Sequence, residues 1–279
     1  MKNDIRFAFF GTSHIARAVL EELIAASLAP QLIVTLPEKR RHEKSSTAVS
    51  TSAQEYGIPL SDNWSEFEGG TWDVAIVVDY GKILPERLLN IPKRGFLNMH
   101  PSLLPRLRGP SPMRTAILRD EKTTGVTIMV VDSEMDHGPI VAQKKVEIAN
   151  WPPRNSDLER ILPHEGGRLL AKILPEYVAG NVEAREQNHD LATYSEKFIK
   201  EDGLLDLAAD AYKNLLKIRA LEGWPGTYAF FERNGKKIRV QMLDAHLEQG
   251  QLVIDRVKPE GKREMGYDEF LRSGARPIN

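Results

Sequence analysis

The chain has 279 residues and a formal net charge of -1, with 41% hydrophobic residues and no cysteine. That length allows one large domain or two modest ones, and the apolar content is enough for real cores. A near-neutral balance gives no general electrostatic case for nucleic-acid binding, and the lack of cysteine excludes disulfides, thiolate metal sites and a cysteine nucleophile. It also fits a reducing cytoplasm, the expected location. The opening MKNDIRFAFF carries no long apolar signal core, and no window approaches the roughly 18 apolar residues of a membrane span.

In chain order, IRFAFFG is a short apolar run ending in glycine, TSHIARAVLEELIAA has helical spacing, and QLIVTL is a second strand candidate. This β-loop-α-β order predicts a parallel sheet with a crossover helix. WDVAIVVDYG and GFLNMH are nearly all apolar, as buried parallel strands are. SPMRTAILRD predicts a helix with Ser111 as N-cap and Pro112 at its first position. TGVTIMVVD and PIVAQKKVEI are strands, the second alternating in its latter part like an edge strand. A helical pattern runs from Asn155 to Val178, with Ser156 a cap candidate and Gly180 a stop; Pro163, Gly166 and Gly167 weaken it.

After Gly180 the character changes, and NVEAREQNHDLATYS is polar enough to read as a connection. DLAADAYKNLLKIRAL is a helix candidate, and GTYAFFERNGKKIRVQML predicts a hairpin turning at Asn234-Gly235. GQLVIDRV and YDEFLRSG complete a small β-rich module. The expected division is a first domain over 1–182, a linker over 183–194 and a second domain over 195–279.

The chemistry concentrates in NMHPSLLPRLRG, residues 98–109. Alternate residues of a strand share a face, so Asn98 and His100 project together near the end of a parallel strand, where open α/β sheets hold ligands. Pro101 and Pro105 then turn the chain out and stiffen the loop, whose Ser102-Leu103-Leu104-Pro105 run suits a flat heteroaromatic ligand with a polar edge. In VVDSEMDHGPIV, Asp136 precedes Gly138, which permits close backbone approach. An amide, an imidazole and an acid suit acyl transfer: the first two stabilise an oxyanion, and the acid orients the ring and moves a proton. Taken singly each residue has a bland reading, as strand-end histidine, turn aspartate or backbone-bonding asparagine.

Jointly they resemble a known family. FAFFGTSHIA, DYGKILPERLLNIPKRGFLNMHPSLLPRLRGPSP, TGVTIMVVDSEMDHGPIV, YSEKFIKEDGLLD and IRALEGWPGTY are similar, in order and spacing, to the methionyl-tRNA branch of the folate-dependent formyltransferases. The resemblance covers nearly the whole chain. It implies a doubly wound, mostly parallel, Rossmann-like α/β domain followed by a β-barrel resembling an OB-fold. It places Asn98, His100 and Asp136 on the catalytic amide, imidazole and acid, and Ser102, Leu103, Leu104 and Pro105 on the folate-binding loop. It further implies 10-formyltetrahydrofolate as co-substrate and charged initiator tRNA as partner. No metal and no membrane association are expected from the residues themselves, and a monomer is expected.

Lys39, Arg40, Arg41 and Lys44 lie in PEKRRHEKSSTAVSTS, where the family carries a basic tRNA-gripping loop; here it is shorter and more acidic, and composition alone reads as a solvated loop. Arg106 and Arg108 are candidates for phosphate binding or for bracing the loop. Arg233, Lys236, Lys237 and Arg239 give the second module a basic hairpin that suits nucleic acid on an OB-like surface. Trp224, Trp64 and Trp72 are expected in cores, His14 at a helix start, and His137 turned away from Asp136. The rival readings are a sugar-nucleotide N-formyltransferase, a formyl-folate hydrolase and a non-catalytic RNA-binding protein. FFGTSHIA lacks the G-x-G-x-x-G fingerprint of a dinucleotide site, and seven scattered histidines form no H-x-x-x-H pair for a metal hydrolase.

Overall fold

In the computed structural model, residues 5–36 and 48–278 are described. Lys39, Arg40, Arg41 and Lys44 therefore lie outside the described residues. The chain divides into two compact units. The first holds the residues up to Gly109, Thr123–Glu147 and Glu159–Tyr194; the second holds Pro110–Lys122, Ile148–Leu158 and the chain from Ser195 onward.

The elements run in order β1 (Phe7–Gly11), α1 (His14–Ala25), β2 (Leu32–Val34), α2 (Ala48–Tyr56), β3 (Leu60–Ser61), α3 (Ser65–Glu68), β4 (Val74–Val78), α4 (Glu86–Leu89) and β5 (Phe96–His100). They continue with α5 (Pro112–Leu118), β6 (Thr124–Val130), β7 (Ile140–Val146), α6 (Asn155–Val178), α7 (Ala211–Ala220), β8 (Thr227–Arg233), β9 (Lys236–Glu248), β10 (Gln251–Pro259), β11 (Met265–Gly266), α8 (Tyr267–Arg272) and β12 (Arg276–Pro277).

The first unit is built on a seven-stranded sheet in the order β3-β2-β1-β4-β5-β6-β7. Its first five strands pair in parallel and its last two pair antiparallel. All five residues of β1 are buried, as the apolar run requires. Ser13 caps α1 by accepting the N–H groups of Ile15 and Ala16, and Ala16, Val19, Leu20 and Leu23 form its buried stripe. Phe10, Phe67 and Phe96 meet edge-on at 4.9–5.5 Å between ring centres, and Phe10 meets Tyr80 likewise at 5.4 Å; such pairs each add about 0.5–1.5 kcal/mol beyond burial. Trp72 lies in this core and Trp64 packs partly against it.

α6 is continuous from Asn155 to Val178 despite Pro163 and the two glycines. A Cβ at Gly166 would overlap the Met99 side chain, and one at Gly167 would overlap Glu22 on α1. The glycines are there for close packing, which local propensity does not report.

The second unit holds an antiparallel sheet in the order β11-β10-β9-β8-β12. A register shift at Ile254–Arg256 of β10 bends the ribbon, consistent with a barrel-like module. Asn234 and Gly235 turn the β8–β9 hairpin at φ 52° and 70°, the pair of left-handed residues that a tight hairpin uses. α7 and α8 cover a core of Leu215, Ile218, Phe231, Val240, Val257 and Phe270.

Three differences from the linear reading stand out. Residues 110–122 and 148–158 pack with the second unit: Trp151 Nε1 and the Tyr212 hydroxyl both donate to Asp120 Oδ1, at 2.6 and 2.8 Å, and Arg154 pairs with Glu222 at 3.0 Å. Ser111 sits at the N-cap of α5 without a side-chain capping bond. Trp224, expected in a core, is 53% exposed. It stands in a turn between the left-handed Gly223 and Gly226, while Leu221 just before the turn is buried. No helix among the described residues is long and apolar enough to cross a membrane.

Candidate active site

Asn98 and His100 share one face of β5, near its C-terminal end, as the period of two demands. β6 runs antiparallel to β5, with Met129 opposite Asn98 and Val130 opposite Leu97, and the loop that follows starts at Val131, whose N–H donates to the Phe96 carbonyl at 2.9 Å. A Cβ at Gly138 would collide with the Val130 carbonyl, so glycine is required there for the loop to return against β6. This loop carries Asp136.

The three side chains converge. Asp136 Oδ1 accepts from Asn98 Nδ2 at 3.3 Å, and Oδ2 accepts the Gly109 N–H at 2.7 Å. Oδ2 also faces His100 Nδ1 at 3.6 Å, with the imidazole almost fully buried. His100 Nε2 lies 2.9 Å from the Leu107 carbonyl. A carbonyl only accepts, so Nε2 carries a proton and Nδ1 is the nitrogen turned toward the carboxylate. Asn98 Nδ2 keeps a second N–H beyond the one given to Asp136. Asp136 itself has φ 50°, a left-handed backbone that costs a non-glycine residue of order 1–3 kcal/mol.

A cavity of about 280 Å³ in the first unit is lined by Val77, Asp79–Leu84, Asn98, Met129 and Val131–Asp136. It combines apolar walls with convergent polar groups at one side, the usual makeup of a small-ligand site. Tyr80 lies on it, its phenol pushed up by burial although Trp64 Nε1 donates to the hydroxyl at 2.9 Å. A larger cavity of about 350 Å³ in the second unit is lined by Arg154, Glu222, Asp244, Arg256 and Glu264 among others. Those charges already pair with one another, Arg154 with Glu222 and Asp244, and Arg256 with Glu264. The smaller cavity, beside the convergent triad, is the better candidate.

Ser102, Leu103, Leu104 and Pro105 do not line that cavity. Ser102 and Leu104 are buried, and the Ser102 hydroxyl donates to the Arg106 carbonyl at 2.6 Å. The run belongs to a braced loop that presents the Leu107 carbonyl to His100. The fully buried Thr127 hydroxyl donates to the Ser102 carbonyl at 2.7 Å and accepts from Leu104 N–H at 3.1 Å and Gln143 Nε2 at 2.9 Å. Thr193 Oγ1 accepts the Leu107 N–H at 2.9 Å. Arg108 is buried and donates to Gln187 Oε1, a bracing contact. His137 Nδ1 donates to Asp132 Oδ2 at 2.7 Å, and the ring stacks on His189. The imidazole of His14 is largely exposed and lies 3.2 Å from Glu159.

Sequence reasoning missed Thr127, Gln143, Gln187 and Thr193, which brace the site, and the Asp79–Leu84 and Val131–Met135 walls. Their only sequence signal is proximity: the wall segments directly follow β4 and β6, on either side of the triad strand.

Residues 5–174 match the family model described as formyl transferase. A protein named methionyl-tRNA formyltransferase from Chloroflexus aurantiacus is 36% identical over 252 residues, covering 85% of this chain and 79% of that one. Another so named, from Herpetosiphon aurantiacus, is 33% identical and covers 98% of this chain and 99% of its own. Among solved structures, an N-formyltransferase from Helicobacter canadensis in complex with folinic acid and dTDP-3-aminofucose superposes with a TM-score of 0.65. It is 19% identical and covers 90% of this chain and 95% of that one, a likeness of fold. The fold and site thus define an enzyme of the formyl-group transferase class. The chain belongs to the formyl transferase family.

Proposed function

We propose that the chain transfers the formyl group of 10-formyltetrahydrofolate to the α-amine of methionyl initiator tRNA, by direct amine attack through a tetrahedral intermediate. The observation that carries this reading is the convergence of Asn98, His100 and Asp136 beside the 280 Å³ cavity. The apolar walls suit a flat pterin, and the flanking polar groups suit its edge.

The residues divide the work. The second N–H of Asn98 and the Nδ1–H of His100 donate to the oxygen of the formyl group as it becomes an oxyanion. Because the other ring proton is committed to Leu107, donation from Nδ1 requires the imidazolium. Asp136 takes a proton from the attacking amine, directly or through water, and the departing folate nitrogen receives one as the C–N bond breaks. The Leu107 carbonyl and the Gly109 N–H hold the imidazole and the carboxylate in register.

Recognition of tRNA has two supports. Lys39, Arg40, Arg41 and Lys44 supply a cluster of cations for the acceptor stem. In the second unit, Arg239 lies 3.7 Å over the Tyr228 ring and Lys237 lies 4.0 Å over that of Phe230, a basic and aromatic strip suited to nucleic acid. The enzyme acts as a monomer in the cytoplasm on this reading.

The test offers the purified protein 10-formyltetrahydrofolate with charged initiator tRNA or with amino-sugar nucleotides. Formylated methionyl-tRNA is the expected product. Formylation of the sugar alone would replace the acceptor while leaving the triad intact.

A further inference from the structure

Arg108 is only 3% exposed, yet its guanidinium is held by neutral partners. Nε and Nη2 donate to Gln187 Oε1 at 3.1 and 2.7 Å, and Nη2 lies 2.8 Å from His189 Nδ1. Burying a cation this deeply is costly without a return elsewhere. The return lies at the far end of Gln187, itself 4% exposed. Its Nε2 donates to the backbone carbonyls of Asp136 at 3.0 Å and Gly138 at 2.8 Å. Asp136 is the residue held in the left-handed conformation, and its carboxylate accepts from Gly109, the residue next to Arg108.

These bonds close a ring: Arg108 to Gln187, Gln187 to the Asp136 carbonyl, the Asp136 carboxylate to Gly109. Arg108 also fixes which way the amide of Gln187 faces. A flipped amide would set its NH₂ against the guanidinium and its oxygen against two carbonyls. We infer that Gln187, oriented by Arg108, is a positioning residue for formyl transfer: it holds the strained backbone of Asp136 so that the carboxylate faces Asn98 and His100. This rests on the role given to Asp136 above.

Gln187→Glu in the full chain is the test. The carboxylate keeps both bonds to Arg108 as an ion pair, so the core is retained. It loses both donors to the Asp136–Gly138 loop. Turnover with 10-formyltetrahydrofolate and methionyl-tRNA is expected to fall about 10–10²-fold, the cost of misplacing a catalytic group by about an ångström, with KM for the folate unchanged. Hydrogen exchange of the Gly109 amide, which reads the carboxylate's position without any substrate, is expected to accelerate while that of Phe9 and Ile76 stays fixed. Arg108→Lys keeps the cation but loses the two-pronged grip, and a smaller fall in turnover with a smaller acceleration of Gly109 exchange is expected. Wild-type turnover in Gln187→Glu, or reduced turnover with Gly109 exchange unchanged, overturns the inference. Should Gln187→Glu fail to fold, Arg108→Lys with wild-type turnover and exchange overturns it equally. A wild-type protein that forms no formylated product would sink the functional reading instead, and Gly109 exchange would still decide the clamp.

Discussion

Asp136→Asn changes one oxygen to an NH₂ group and removes a charge at constant shape. The carboxylate accepts from Gly109 N–H at 2.7 Å and from Asn98 Nδ2 at 3.3 Å, and it faces His100 Nδ1 at 3.6 Å. An amide has only one accepting oxygen. With Asn98 kept in its present orientation, whichever way the new amide turns its NH₂ meets either the Gly109 N–H or the Asn98 NH₂, donor against donor. Leaving one such buried group unsatisfied costs about 1–3 kcal/mol of stability. Loss of the proton-transfer group costs about 10²–10⁴ in rate, which is about 3–5 kcal/mol of barrier. The kinetic effect therefore exceeds the folding effect. Single-turnover formylation from 10-formyltetrahydrofolate measures the first, and urea unfolding of the same preparation measures the second. A folded Asp136→Asn protein that turns over within about tenfold of wild type, below the lower bound for general acid–base assistance, would refute the reasoning.

His100→Ala removes an oxyanion donor and is expected to lower kcat by about 10²–10³ with little change in folate affinity; equal losses in kcat and binding would assign the ring to ground-state contact. Thr127→Val leaves the Ser102 carbonyl, the Leu104 N–H and Gln143 without their shared hydroxyl, and is expected to cost about 1–3 kcal/mol in urea unfolding. Asp73 is held below the usual carboxylate range by the Arg6 N–H and then by Lys93, both at 2.9 Å. A lowered folded pKa stabilises the protein above the unfolded value of about 3.9 and ceases to do so as pH falls through the folded value. Asp73→Asn is therefore expected to cost about 1 kcal/mol at pH 7, a difference that shrinks under acid; a difference that widens below pH ~4 would contradict the assignment.

Much of this was legible because its physics is local. Buried parallel strands announce themselves as apolar runs, which is why β1, β4 and β5 can be read directly. The strand period of two puts Asn98 and His100 on one face, and Gly138 marks the tight return that brings Asp136 back to them. The illegible parts depend on tertiary contact. β3, α3 and α4 have only two to four residues each, too few for a period to register. The segment 183–194 is polar and reads as a linker, yet Gln187 is buried in it and Arg185 pairs its backbone with Ile140. Its polarity serves the loops it braces. Trp224 illustrates the opposite error, since a large aromatic beside a proline and two glycines is expected inside, and the turn geometry carries it out.

The most direct measurement is a crystal structure of the protein with folinic acid, a stable formyl folate. The account predicts the pterin in the cavity walled by Val77, Leu84 and Met129, with the formyl-bearing edge within roughly 3–3.5 Å of Asn98 Nδ2 and His100 Nδ1. A folate seated elsewhere on the first unit, or one whose formyl end points away from residue 136, would contradict it.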